Sequence, residues 1–256
     1  MSWPRIIVCL DVAGGRVVKG TRFKDLKDQG DLVDLALRYA DQGADEIAFL
    51  DIEASADADS PRGTRMEWVT RVARHLFVPF SVGGGVRSWD DASRLLDSGA
   101  DRITVGSAAV VRPEVLGEIA TRAGAQAVIL SLDARHAGPD RCIVTRRGGR
   151  EDTALDARDF ARTAVAHGAG EILLNVIDAD GTRQGFDLTY TRAIVDAVPV
   201  PVIASGGAGA LGDFYDVLTL GGASAALCAG VFHDGTLTVG DVKRHLEARG
   251  VRVRPC

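Results

Sequence analysis

Two short apolar stretches end on a carboxylate, Val8-Cys9-Leu10-Asp11 and Ile129-Leu130-Ser131-Leu132-Asp133. An apolar run of this kind is typical of a buried parallel strand that delivers one polar side chain to the rim of a site. The two aspartates are 122 residues apart, and other segments recur at nearly that offset. The chain is therefore predicted to consist of two similar halves, about residues 1–124 and 125–256, each opening with an aspartate-tipped strand.

Strand-like and helix-like segments alternate along the whole chain. We predict eight strands and eight helices, with the strands at residues 5–11, 46–51, 80–82, 102–105, a run ending at 133, 171–177, 202–205 and 225–229. Such alternation requires parallel strands with right-handed crossovers. Two four-strand halves complete a ring without an exposed edge. The sequence therefore predicts a single (β/α)8 TIM barrel over residues 1–256, with the alternative of an open doubly wound sheet.

Three insertions interrupt this alternation. Residues 22–31 and 53–63 are predicted as polar loops, and long loops in compact domains are usually functional. Residues 141–150 form a basic, glycine-rich segment that is predicted to be a hairpin.

Composition and charge argue against several classes of partner and of site. The net charge is −5, with both signs mixed along the chain, so no nucleic acid or anionic membrane partner is expected. The four cysteines show no disulfide or CxxC spacing, and the five histidines form no metal constellation. The amino terminus lacks a signal-peptide profile, and no apolar run approaches membrane-spanning length. We expect a soluble cytoplasmic protein with no metal and no cofactor.

Asp11 and Asp133 are the candidate catalytic residues. Strands one and five of an eight-strand barrel face each other, and catalytic groups collect at the carboxyl ends of the strands. Two carboxylates on opposite walls can act as general acid and general base. A single strand-end aspartate would more simply cap the next loop, but the repeat-equivalent pair favours catalysis. Asp51, Asp178 and Asp180 are further candidates at the rim. Of these, Asp51 is more suited to fixing loops than to transferring protons.

Glycine-rich turns follow four strands, two in each half, at Gly84 and Gly85, Gly106 and Ser107, Ser205 to Gly207, and Ala229 and Gly230. A residue without Cβ lets backbone amides approach a phosphate closely, although glycine also simply permits tight turns. Because the pattern is duplicated, we predict two phosphate sites and an elongated substrate with a phosphate at each end. Lys19, in the predicted first loop, is a candidate phosphate clamp, although spacing alone favours a solvated loop lysine.

Along nearly its whole length the chain resembles the cyclase-subunit family of imidazole glycerol phosphate synthase, an enzyme of histidine biosynthesis. The resemblance lies in residues 5–12, 15–20, 49–52, 82–86, 168–174, 177–182 and 203–209. It implies that Asp11 and Asp133 form the acid and base pair, that Lys19 lies in a mobile loop over the substrate, and that Asp180 and Gly181 belong to the substrate site.

The resemblance also implies a partner and a gate. Ammonia made by a separate glutaminase subunit, docked at the barrel's N-terminal face, would pass through the barrel to the bis-phosphate substrate PRFAR. The products would be imidazole glycerol phosphate and aminoimidazole carboxamide ribotide. The four charged gate residues of the family fall on Arg5, Glu46, Arg102 and Glu171.

Several positions near the predicted substrate site depart from the family pattern. Glu53 stands in place of threonine, Gly106 of asparagine, Asn175 and Val176 of threonine and serine, and Gly230 of serine. These departures leave open a paralogous ammonia-dependent cyclase with a related phosphorylated substrate. Two further alternatives are the related phosphoribosyl-formimino ribotide isomerase and a non-catalytic barrel that binds the glutaminase.

Overall fold

The computed structural model describes residues 3–21, 24–56, 63–138 and 140–256. Twelve strands lie in these ranges: β1 (Arg5–Ala13), β2 (Arg16–Thr21), β3 (Lys24–Asp31), β4 (Glu46–Asp51), β5 (Phe80–Gly83), β6 (Arg102–Val105), β7 (Val128–His136), β8 (Cys142–Arg146), β9 (Glu151–Asp156), β10 (Glu171–Val176), β11 (Val202–Ser205) and β12 (Ala225–Cys228).

Eight of these strands form a closed parallel barrel. The order around the ring is β1, β4, β5, β6, β7, β10, β11 and β12, and β12 pairs with β1 to close it. The predicted TIM barrel is therefore confirmed. Two antiparallel hairpins extend the ring: β2 and β3 continue from β1, and β8 and β9 continue from β7. That the two halves are repeats of one unit stays a prediction.

Helices surround the barrel. Those in the described ranges are α1 (Leu32–Asp41), α2 (Ile52–Ala56), α3 (Met66–Ala73), α4 (Trp89–Asp97), α5 (Ser107–Val111), α6 (Glu114–Ala123), α7 (Ala157–Ala166), α8 (Leu188–Val195), α9 (Leu211–Thr219), α10 (Gly230–His233) and α11 (Val239–Ala248). Aspartate side chains begin several of them: Asp31, Asp156 and Asp187 each accept hydrogen bonds from first-turn amides.

Side chains of the barrel strands alternate between two cores. On β1, Ile6, Val8 and Leu10 point outward and pack beneath the helices. The intervening Ile7 and Cys9 point inward and join a second, smaller cluster inside the ring. The period of two along each strand thus divides the apolar residues into an outer layer and a barrel interior. The same period places Asp11 on the inner face.

The apolar band of the barrel interior is made of Ile7, Ala48, Ile129, Ile203 and Ala225, all buried. None of the five reaches the cavity at the carboxyl ends of the strands. The apolar band, together with the buried Ser81 that pairs with Ala48 on the same inner face, therefore separates that cavity from the N-terminal end of the barrel.

Three details of the predicted organisation were wrong. Lys24–Asp31 is strand β3, although it was predicted as loop, because pairing with β2 supplies backbone hydrogen bonds that a polar sequence does not signal. The predicted loop at residues 53–63 contains part of α2, and residues 57–62 lie outside the described ranges. The described helices outnumber the expected eight because α2, α5 and α10 are short turns of helix after barrel strands.

Candidate active site

A cavity of about 1100 Å³ opens at the carboxyl ends of the barrel strands. Its wall contains all but one of the predicted catalytic and substrate-binding residues: Asp11, Gly84, Gly85, Gly106, Ser107, Asp133, Asp180, Gly181, Ser205, Gly206, Gly207, Ala229 and Gly230. Lys19 was predicted in a loop, but it lies on β2. Its side chain is outside the described part of the structure, so its clamping role stays a prediction.

Asp11 and Asp133 reach the cavity from opposite walls. They lie on β1 and β7, which are four strands apart in the eight-strand ring. Asp11 is 6% exposed, and the Cys9 thiol, two residues earlier on the same inner face, donates to Asp11 Oδ1 at 3.4 Å. Both carboxylates therefore line one cavity from positions suited to act on opposite sides of a bound molecule.

The environment of Asp133 makes its carboxyl titrate near neutrality. Burial in the cavity wall raises the pKa of Asp133 to about 6. A hydrogen bond from Asn175 Nδ2 to Asp133 Oδ1, 3.1 Å long, opposes this rise, and the negative charge of Asp180 adds to it. A carboxyl with this pKa can both hold and release a proton near pH 7.

Asn175 and Val176, two of the departures noted in the sequence, have different surroundings. Asn175 points into the barrel beside Asp133, because β10 and β7 pair with these two residues in register. Its Oδ1 is buried and has no hydrogen-bond partner among the described residues. Val176 points the other way, into the core beneath the helices. Of the two, only Asn175 is placed to influence the carboxylates.

The glycines of the two predicted phosphate turns are required by the backbone itself. Gly84 and Gly207 have φ of 121° and 105°, in the region that favours glycine. A Cβ on Gly84 would lie 2.5 Å from the Asp51 carbonyl oxygen, and one on Gly207 would lie 2.1 Å from that of Gly185. These glycines would be needed with or without a ligand, so their position on the cavity wall is the observation that supports phosphate binding.

Gly106 is different, because nothing in its surroundings demands glycine. Its φ is −110°, and a Cβ there would make only ordinary contact, 3.5 Å from Ser131 Cβ. The next residue, Ser107, accepts a hydrogen bond at its Oγ from the Arg147 backbone amide at 2.8 Å. The hairpin of β8 and β9 is thereby attached to the wall of the cavity beside Gly106.

Sequence reasoning did not identify the arginines of the cavity wall. They are Arg87, Arg112, Arg146, Arg147, Arg150 and Arg183. Three of them belong to the basic segment at residues 141–150, which was predicted correctly as a hairpin but received no role. Its cluster of arginines beside glycines was the available signal, since guanidinium groups bind phosphate well.

The other acidic residues near the rim hold loops in place. Asp51 is buried and accepts from the Ala54 amide at 2.9 Å, and Asp178 accepts from the His136 amide at 2.8 Å. Glu53, another of the departures from the family pattern, lies on the cavity wall, but its Oε2 accepts from the Gly14 amide at 2.9 Å. Its charge is thus engaged by the turn that follows β1.

Four charged residues form a closed ring at the opposite end of the barrel. Arg5, Glu46, Arg102 and Glu171 are the first residues of β1, β4, β6 and β10. Each glutamate contacts both arginines: Arg5 Nη1 lies 2.8 Å and Arg102 Nη1 3.4 Å from Glu46 Oε2, and both guanidinium groups donate to Glu171. We call this set the charged ring. The four predicted gate residues are therefore brought together.

Known proteins resemble this chain over nearly its whole length. The model of a family described as "Histidine biosynthesis protein" matches residues 5–238. A relative from Leifsonia xyli subsp. xyli, named imidazole glycerol phosphate synthase subunit HisF, is 54% identical over 253 residues, covering 98% of each chain. This chain belongs to the HisF family. HisF relatives from Myxococcus xanthus and Salinispora arenicola are each 53% identical, covering 98% of this chain and 97% and 98% of their own.

Membership in the HisF family confirms the resemblance drawn from the sequence. Within the described ranges, no helix of this HisF-family chain has the length and apolar character needed to cross a membrane. The same ranges contain no group of three histidine, cysteine or acidic residues placed to hold a metal ion. Besides the carboxylates, the arginines and the backbone amides, the cavity wall carries polar side chains that include Ser131, Asn175 and His233.

Proposed function

We propose that this chain is the cyclase subunit of imidazole glycerol phosphate synthase. In this reaction ammonia and PRFAR give imidazole glycerol phosphate and aminoimidazole carboxamide ribotide in histidine biosynthesis, and the oxygen of the ribulosyl carbonyl leaves as water. The observation that carries the proposal is the placement of Asp11 and Asp133 on opposite walls of one cavity, in a chain of the HisF family. A cytoplasmic location belongs to the same proposal.

The two carboxyl groups suit the proton transfers of this reaction. Addition of ammonia to the ribulosyl carbonyl forms a C–N bond, and it requires a proton on the carbonyl oxygen and the loss of one from nitrogen. Ring closure and release of the ribotide require further transfers of the same kind. Asp11 and Asp133 serve as the acid and base pair. Asp133, with a pKa of about 6, is mostly ionised at neutral or alkaline pH before the reaction begins.

The ends of the cavity suit a substrate with two phosphate groups. Two of the predicted phosphate sites follow strands of the first half, at Gly84 and Gly85 after β5 and at Gly106 and Ser107 after β6. The other two are at the ends of second-half strands, at residues 205–207 for β11 and residues 229–230 for β12. Each pair of neighbouring strands offers backbone amides at one side of the cavity. The two carboxylates lie between these sides, where the reacting middle of the substrate would be held.

A partner glutaminase would dock at the N-terminal face of the barrel. The charged ring lies at that face, roughly 13 Å from Cys9 on the cavity floor, at about 3.3 Å for each strand residue. Exposed apolar side chains in segments that lead into barrel strands lie at the same face: Trp3 is 51%, Leu220 64% and Phe77 97% exposed. Exposed apolar groups that cluster at one face indicate a protein contact.

The test is turnover of PRFAR by the purified chain with an ammonium salt at alkaline pH. We expect robust turnover by the wild type and by Asp196→Asn, a control carboxylate paired with Arg192 on α8. Asp11→Asn and Asp133→Asn should each lower kcat by at least about 100-fold, the usual contribution of general acid or base catalysis. With a homologous glutaminase subunit present, glutamine should replace the ammonium salt.

Two outcomes would contradict the proposal. A folded wild type without turnover would exclude PRFAR as substrate and would favour a paralogous cyclase, whose altered substrate wall is represented by Gly106 and Gly230. Turnover that survives both aspartate substitutions would show that the carboxylates are not the acid and base pair.

A further inference from the structure

Two arginines have a backbone conformation that normally requires glycine. Arg147 has φ of 56° and Arg183 has φ of 58°, and in the described ranges no other non-glycine residue has a positive φ. Both line the cavity. Backbone strain of this kind persists only where the surrounding structure holds it, and it concentrates at ligand sites.

The strained conformation of Arg147 is fixed by contacts on both sides. Its amide donates to Ser107 Oγ at 2.8 Å, which ties it to the start of α5. Gly148 and Gly149 follow with φ of 65° and 78°, so three consecutive residues have left-handed backbone. The Arg135 guanidinium donates to the Gly149 carbonyl oxygen from β7. The turn therefore holds Arg147 against the cavity wall at one place.

The two strained arginines lie on different segments of the cavity wall. The Arg183 guanidinium contacts the carboxylate of Asp234, which also lines the cavity, so its charge is largely compensated. Arg147 belongs to the side of the cavity that also carries Arg87, Arg112, Arg146 and Arg150, of which Arg112 contacts Glu118 and Arg146 contacts Glu151. This is also the side where Gly106 contributes no side chain beside Ser107, although space for one is present.

We propose that Arg147 is a specificity-determining residue that binds the phosphate group held at Gly106 and Ser107. A guanidinium donates two parallel hydrogen bonds to phosphate oxygens and adds a full positive charge. Its position on the hairpin brings this charge to the part of the wall where the barrel strand itself offers only backbone. The identity of the phosphorylated substrate rests on the proposed function, whereas the affinity of this wall for phosphate does not.

The most informative variant is Arg147→Gly, because glycine adopts φ of 56° without strain. It removes the guanidinium while the turn is kept, and we expect unchanged or raised thermal stability. For PRFAR we expect KM to rise about tenfold or more, the usual cost of a charge-assisted hydrogen bond, with kcat within about threefold of the wild type. Arg147→Asn, a residue that tolerates left-handed backbone, should give the same result.

The matched control is Arg141→Ala. Arg141 lies at the start of the same hairpin and donates to the Ala154 carbonyl oxygen, but it does not line the cavity. This variant should keep the KM of the wild type. A merely structural role for Arg147 would change stability and leave KM at the value of the control.

A second measurement is independent of PRFAR turnover. Inorganic phosphate, compared with chloride at equal ionic strength, should raise the Tm of the wild type and of Arg141→Ala, and should raise that of Arg147→Gly less. If the wild type does not turn over PRFAR but this difference is present, the proposed function fails and the role of Arg147 stands. If the phosphate dissociation constants of Arg147→Gly and Arg147→Asn are within twofold of that of Arg141→Ala, the inference is overturned.

Discussion

The two ends of the barrel interior surround their carboxylates with different partners. In the charged ring, Glu46 and Glu171 each lie between two guanidinium groups. At the cavity end, Asp133 receives a hydrogen bond from the neutral amide of Asn175, and the described ranges show no ion pair to it. Burial raises the pKa of Glu171, and Arg5 and Arg102 oppose that rise. For Asp133 no cation opposes it, and its pKa reaches about 6.

The comparison separates two uses of the same chemical group. A carboxylate between guanidinium groups accepts charge-assisted hydrogen bonds that join the strands carrying these residues, so it serves structure and access. A carboxylate that is buried beside neutral groups has its ionised form destabilised, which is unfavourable for folding and favourable for proton transfer. The following predictions test this difference, from the largest expected effect to the smallest.

Removing a cation from the charged ring should destabilise the fold strongly. Arg102→Met leaves Glu171 buried with one guanidinium partner, and breaking a buried pair in this way costs about 3 kcal/mol. Urea unfolding at pH 7 measures this loss in the free energy of unfolding. The double variant Arg102→Met with Glu171→Leu should recover at least half of it. A loss under about 1 kcal/mol for the single variant would show that the ion pairs of the charged ring do not stabilise the fold.

Removing the charge at the cavity end should have the opposite sign. The folded-state pKa of Asp133, about 6, lies above the value near 3.9 of an unfolded chain, so ionisation of this group destabilises the fold. The penalty is absent below about pH 4, grows between the two pKa values and is constant above them. Because the carboxyl opens onto the cavity, we expect Asp133→Asn to stabilise the fold by about 1–2 kcal/mol at pH 8.

The control for this measurement is the pH at which it is made. Urea unfolding at pH 4 should give the same free energy for the wild type and Asp133→Asn. A second control is Asp196→Asn, since Arg192 lowers the pKa of Asp196 and its loss should not stabilise. A destabilising effect of Asp133→Asn at pH 8 would contradict the contrast between the two ends of the barrel.

The smallest effect should follow from changing the neutral partner. Asn175→Ala removes the hydrogen bond that lowers the pKa of Asp133, so that pKa should rise by roughly 0.5–1 unit. The acid limb of kcat/KM against pH should move upward by the same amount. Thr145→Val is the matched control, because Thr145 donates to the backbone carbonyl of Asp133 and not to its carboxylate. An acid limb that stays in place would assign it to another group.

The barrel and the positions of its carboxylates were predictable because both depend on local patterns. Apolar runs that end at Asp11 and Asp133 specify buried strands, and the period of two then determines which side chains point inward. Once the strands close into a ring, the start and end of each strand belong to fixed faces. The four residues of the charged ring came instead from the resemblance to the family, and their positions at the starts of strands then place them at one face.

The features missed by the sequence analysis depend on contacts between distant segments. Strand β3 is polar and forms because β2 lies beside it. The backbone of Arg147 is held in its strained conformation by the hydrogen bond that its amide donates to Ser107 Oγ. The hydrogen bond between Asn175 and Asp133 depends on the register of β10 against β7. No periodicity within one segment signals such pairings, and the basic composition of the hairpin was an available signal that received no role.

The apolar band inside the barrel also has a consequence for the protonation state of whatever crosses it. Ile7, Ala48, Ile129, Ile203 and Ala225 are apolar, and the buried Ser81, which pairs with Ala48 on the same inner face, adds a hydroxyl to this layer. An ammonium ion would lose its hydration there at a cost of several kcal/mol, whereas neutral ammonia would lose much less. A barrel that conducts ammonia along this route would therefore deliver it as the free base, already nucleophilic when it reaches the carboxylates.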